Sequence, residues 1–126
     1  MTEFHTREFV KAMHAEQLRL HGGAPGIRDV GMLESALARP LQKAICGDPD
    51  IFDLAAAHLF GIVKNRPFVD GNKRTALAAT DLFLVFNGWS LETDDASLIQ
   101  FVLMVAAGEI DEAGAAAFLR DHTEKA

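Results

Sequence analysis

Cysteine is almost missing: Cys46 stands alone among 126 residues. No disulfide can close within the chain, and a reducing compartment is the expected setting. Long hydrophobic runs are missing too, with nothing near the ~20 apolar residues a membrane-spanning helix needs. Lysine and arginine nowhere run together far enough to build a basic face, and the net charge is −6. That excludes a general nucleic-acid binder, so no DNA and no membrane partner is expected. The opening "MTEFHTREFV" carries charges where a secretory leader needs an apolar centre, which points to the cytoplasm. What remains is an ordinary globule, 49% apolar and 24% charged, of a length that suits one domain over 1–126. Such a chain buries roughly two-thirds of its unfolded surface, enough for a core without staples.

The apolar spacing and the turn residues predict an all-α fold of about six helices. Thr6 can cap a helix from Arg7 to Leu20, with Phe9, Val10, Met13, Gln17 and Leu20 near one face. "HGGAPG" forbids its continuation. Asp29 opens a short second helix around Met32 to Arg39, and Pro40 is expected to end it. Asp48 and Pro49 are expected to start a third, Ile51 to about Lys64, which is apolar almost all round. A fourth runs from about Asn72 to Phe86 and stops at Asn87-Gly88. Two consecutive helices of this kind imply a buried central hairpin. "GWSLETDD" offers one or two extended residues, too few for a sheet; Asp94 or Asp95 and then Asp111 open the last two helices.

Between the two most apolar helices lies "RPFVDGN", followed at once by Lys73 and Arg74. The first N–H groups of a helix have no intrahelical partner, and its dipole places about half a positive charge there. Gly71 lets backbone approach a ligand closely. Lys73 and Arg74 add full positive charges where a merely structural helix would favour Asp or Glu, so a local rule is broken. Together these features describe an anion site, and phosphate is the obvious anion. Asp70 is placed to hold magnesium, which favours one or two carboxylates plus phosphate oxygens. Phe68 is expected to anchor the loop in the core. A solvated "DGN" turn followed by exposed cations explains the same spacing equally well. The P-loop pattern is absent.

"RPFVDGNKRTA" strongly resembles the Fic/Doc family signature H-x-F-x-[DE]-G-N-[GK]-R. Lys73 points to its Doc branch, the death-on-curing toxins, because AMP-transferring Fic enzymes usually carry glycine at that place. "GGAPGIRDVGMLESALARP" and "GEIDEAGAAAFLRDH" extend the resemblance over nearly the whole chain. The resemblance implies a compact all-α toxin of a toxin–antitoxin pair. Its activity would be that of a protein kinase using ATP and Mg2+, phosphorylating a threonine of elongation factor Tu. A Phd-type antitoxin would lay its C-terminal helix in a groove lined by the first helix and the flap-side segment, near Phe4, Phe9 and Leu20. Carried over residue by residue, Asp70 would hold the metal, and Asn72 with the Gly71–Lys73 backbone would cradle phosphates. Lys73 and Arg74 would bind phosphate and stabilise charge during transfer.

Arg66 departs from the pattern. The family has histidine there, the base that takes the proton of the substrate hydroxyl. Arginine stays protonated at any physiological pH and cannot accept one. The chain is therefore expected to bind nucleotide and to turn over poorly. A degenerate paralogue and a detoxifying replacement both fit, and the intact remainder of the motif favours the second. A Fic-like AMP transferase and a binding module without catalysis are the alternatives. His58 reads as a core histidine with its nitrogen satisfied. Arg28 and Asp29 read as flap and cap, and Arg19 as either a phosphate contact or a solvated side chain. The five histidines show no H-E-x-x-H and no cysteine at zinc spacing.

Overall fold

Ten of the fifteen residues of α3, Ile51–Asn65, are buried, so this helix is the axis on which the rest assembles. In the computed structural model, which describes residues 1–126, α1 (Arg7–His21), α2 (Val30–Ile45) and α4 (Asn72–Phe86) join it. A strand β1 (Trp89–Leu91), α5 (Asp95–Ala106), α6 (Glu112–Asp121) and a strand β2 (Thr123–Lys125) complete the chain. Helices α2, α4 and α6 make the main contacts with α3. The protein is all-α in character, and α3 with α4 forms the expected central hairpin. None of its helices is long and apolar enough to cross a membrane.

Side-chain caps set most helix starts. Thr6 accepts from the Phe9 N–H, Asp29 from Met32 and Asp111 from Gly114, each satisfying a donor that the helix leaves free. α3 begins otherwise than the turn chemistry predicts. Asp50, not Asp48, is its cap, in a reciprocal box with Asp53.

Two further expectations are corrected. Pro40 does not end α2; it lies inside the helix, buried. Proline removes the N–H that would bond to the Ala36 carbonyl. That carbonyl lies against Gly61 of α3, where an added Cβ would come within 3.0 Å of it. Burial in this close α2–α3 contact outweighs the lost bond, so the helix continues for another turn. Nor are the extended residues after α4 too few for a sheet. β1 pairs antiparallel with β2, Trp89 opposite Lys125 and Leu91 opposite Thr123. Strand β1 has its partner at the far end of the chain, which no local pattern discloses.

Both ends of the chain are tied to the C-terminus of α4. The Asn87 side chain exchanges two bonds with the Glu3 backbone, 2.7 and 3.0 Å, and the Ala126 N–H reaches the Gly88 carbonyl at 3.0 Å. At the opposite end of the same helix lies the loop that carries the candidate site.

Candidate active site

The loop from Arg66 to Gly71 is held from three sides. Phe68 is its anchor, 1% exposed within the core. From α4, the Asn72 amide grips the Phe68 backbone: Oδ1 accepts from its N–H at 2.9 Å and Nδ2 donates to its carbonyl at 3.0 Å. Asn72 therefore fixes the loop with its side chain, and what it turns toward a ligand is its backbone N–H. From α1, the buried ring of His14 stacks on Phe68, with centroids 3.8 Å apart and planes 8° from parallel. Its Nε2 lies 2.8 Å from the Asp70 carbonyl; since a carbonyl only accepts, Nε2 carries the proton.

The third clamp comes from the flap before α2. Val69 donates to the Gly26 carbonyl at 3.0 Å, and Arg28 and Asp29 both donate from their backbone to Pro67, at 2.7 and 3.1 Å. The Arg28 guanidinium reaches further, with Nε 2.7 Å from the Arg66 carbonyl and Nη2 2.7 Å from that of Asn65. These are C-terminal carbonyls of α3, which a helix otherwise leaves unsatisfied. Arg66 itself sits in the left-handed region, φ 48° and ψ 57°, the sole non-glycine residue with positive φ. A residue before proline favours extended backbone; the Arg28 bonds and the reversal into the loop hold it elsewhere.

Gly71, at φ 77°, opens α4 with no side chain capping it. Its own N–H goes to Asp70 Oδ1 at 2.9 Å. The N–H groups of Asn72, Lys73 and Arg74 have no partner in the protein. They belong to the wall of a cavity of about 660 Å³ lined by Arg66, Asp70, Gly71, Asn72, Lys73 and Arg74, with Val63, Val69, the α5 residues Leu103 and Ala106 and the C-cap Ala107 as its apolar part. Every ion pair of the molecule lies elsewhere, on Arg7, Lys11, Arg19, Arg39, Lys43 and Arg120. Arg66, Lys73 and Arg74 are thus exposed, unpaired cations around one carboxylate. In a chain of charge −6 this is a local inversion of sign.

Asp70 has both oxygens engaged by backbone, Oδ1 by Gly71 and Oδ2 by the Ala24 N–H at 3.3 Å. It remains exposed, with lone pairs left for a metal whose other ligands come from a bound molecule. No group of three acidic, histidine or cysteine side chains is gathered to hold an ion by itself.

Other sequence candidates lie apart. Arg19 pairs with Glu16 on the exposed face of α1, its Nε 2.9 Å from Glu16 Oε2. Cys46 is an exposed C-cap of α2. His58 is buried as expected, but its Nε2 is not satisfied: no partner reaches it. Burial, seconded by the nearby His5, pushes its pKa down to about 3, so the ring is neutral. His5 packs 5.2 Å away and gives its Nε2 to the Ala79 carbonyl at 2.7 Å. His14 escaped sequence reading because nothing local marks it; only the fold brings α1 against the loop. Phe4 and Phe9 do line a hollow, of about 430 Å³, together with His5 and Phe86, but Leu20 is not among its walls.

Residues 4–84 match the model of the Fic/DOC family. The chain belongs to the Fic/Doc family. It is 43% identical over 96 residues to a protein named toxin Doc from Mycolicibacterium smegmatis, covering 75% of this chain and 72% of that one. To the protein kinase doc of Escherichia phage P1 it is 33% identical over 110 residues, 86% of either chain. Both relatives are Doc proteins, and the chain sits on that branch.

Proposed function

We propose that this chain, as one Fic/Doc domain over 1–126, is a Doc-type toxin of a toxin–antitoxin pair, built as a cytoplasmic protein kinase but lacking its catalytic base. The observation that carries this reading is the pairing of three free N–H groups with the unpaired Lys73 and Arg74 at one cavity wall. Phosphate oxygens match such donors in charge and geometry. ATP with Mg2+ would supply the phosphoryl group and part of the charge neutralisation. The chain's own residues would do the rest. Asp70 would hold the metal, the Gly71–Lys73 backbone would seat the phosphates, and Lys73 and Arg74 would stabilise the charge of transfer.

What the site lacks is a proton acceptor. Arg66 lines the cavity where the base belongs, and its guanidinium cannot take up a proton. His14 cannot replace it, because its Nε2–H is turned to the Asp70 carbonyl and the ring is buried. His58 lies in the core beside His5 and Phe83. The expected substrate is a threonine of elongation factor Tu, and the expected regulator a Phd-type antitoxin.

The deciding experiment incubates this chain and Arg66→His with elongation factor Tu and ATP labelled at either the α or the γ position. The reading expects γ-label on the factor with Arg66→His and almost none with the parent. Transfer of α-label would instead mean AMP transfer. Binding of ATP without transfer by either form would mean a module that binds and does not catalyse.

A further inference from the structure

Arg66 stands where the family signature has its base, and its surroundings give it a definite place in the structure. Its left-handed conformation, unfavourable for a residue with a Cβ, is the sole case among non-glycine residues. Two bonds of 2.7 Å from the Arg28 fork to the Asn65 and Arg66 carbonyls hold it, reinforced by the flap's backbone bonds to Pro67. The backbone of residue 66 is thereby fixed at the cavity rim before any ligand arrives. Its guanidinium has no carboxylate partner, although 18 Asp and Glu are present and six other basic side chains are paired.

We propose that Arg66 is itself an anion-binding residue, presented by the Arg28 staple, and that with Lys73 and Arg74 it makes a three-cation face that selects polyphosphate over monophosphate. The inference rests on the anion site proposed above and names the ligand class of its altered form. Three positive groups against the single Asp70 leave the face with an excess of two charges. Orthophosphate can engage only part of such a face. A chain of three phosphates carries enough charge to engage the free N–H groups of Asn72 to Arg74 and the Arg66 guanidinium together, since all of them line the same cavity. Arginine is suited to the task, being permanently charged and able to bind phosphate through two parallel N–H groups.

The test titrates the full chain with inorganic tripolyphosphate, pyrophosphate and orthophosphate by calorimetry, each with and without magnesium. Arg66→Gln should weaken tripolyphosphate about tenfold or more and orthophosphate far less, so that selectivity between them collapses. The difference should shrink as salt rises, because exposed charges are screened. Arg28→Lys keeps the charge and loses the fork, and should weaken tripolyphosphate in the same direction. Thermal melts of each variant check that folding is intact. If Arg66→Gln binds all three probes as the parent does while Lys73→Ala is weakened, the role of Arg66 is wrong and the anion site stands. If Arg28→Lys binds like the parent, the staple plays no part. Should none of the probes bind the parent, both the anion site and this inference fall.

Discussion

His14 and Phe68 lie face to face, 3.8 Å between ring centroids, and this stack joins the first helix to the middle of the motif loop. The same imidazole holds the Asp70 carbonyl, so a single α1 side chain braces the peptide just before Gly71. His14→Ala should cost about 2–4 kcal/mol by opening a core cavity and orphaning a carbonyl. His14→Phe keeps the stack and loses only the hydrogen bond, and should cost about 1–2 kcal/mol. Denaturant melts of both variants, read beside their ATP affinities, check this. No loss in His14→Phe would mean that the hydrogen bond does nothing, and equal losses in the two would mean that the stack does nothing.

Removing the two cations of the first turn of α4 should cripple nucleotide binding. Lys73→Ala with Arg74→Ala is expected to weaken ATP by on the order of 2–4 kcal/mol, from charge-assisted contacts of ~1.5–3 kcal/mol each with incomplete additivity. An unchanged calorimetric titration would refute the anion site. Stability should hardly move, since both side chains are exposed and unpaired.

The neutral, unpartnered His58 makes acid the weak flank of the fold. Unfolded, its imidazole takes up a proton below about pH 6.5; folded, it refuses one until about 3. Its contribution is therefore complete above pH 6.5 and falls as pH drops toward 3, by at most ~1.4 kcal/mol per pH unit. Burial lowers the pKa of His5 as well, adding in the same direction. His58→Phe should show a shallower loss of stability between pH 6.5 and 4 than the parent. Parallel curves in urea titrations at each pH would show that His58 does not carry the slope.

A Phd-type C-terminal helix should stabilise this chain even with Arg66 in place, because the hollow expected to seat it shares no lining residue with the cavity at Arg66. Peptide at a hundred times its dissociation constant contributes ~2.7 kcal/mol, or roughly 10 °C in melting temperature at this length. The aromatic hollow of Phe4, Phe9 and Phe86, with Phe86 50% exposed, is the expected seat of its apolar anchors. Phe86→Asp should abolish the shift. A melt that the peptide leaves unmoved, with no heat of binding, would remove the groove from the picture.

The parts of this molecule that sequence discloses are those governed by local chemistry. Thr6, Asp29 and Asp111 announce their helices because a capping side chain acts within three residues. The loop proposed here to bind an anion draws the eye in the sequence since glycine, two cations and a helix start fall side by side. The continuation of α2 through Pro40 is not, because the compensation sits across the α2–α3 contact at Gly61. The orphaned nitrogen of His58, the strand pair and the His14 brace are hidden for the same reason: each depends on a partner far along the chain. Arg66 divides between the two. Its chemistry can be read from one letter, whereas its left-handed backbone needs Arg28 to explain it.

The bonds from Glu3 to Asn87 and from Ala126 to Gly88 make α4 a strut with a buckle at one end and the motif loop at the other. Fifteen residues at 1.5 Å each set the two about 22 Å apart. Tags or fused domains attached beyond residues 3 and 126 leave from neighbouring points on the face remote from the cavity. Reporters can therefore be appended at both ends of this chain without crowding the chemistry, and a short linker between those ends would close the chain into a ring.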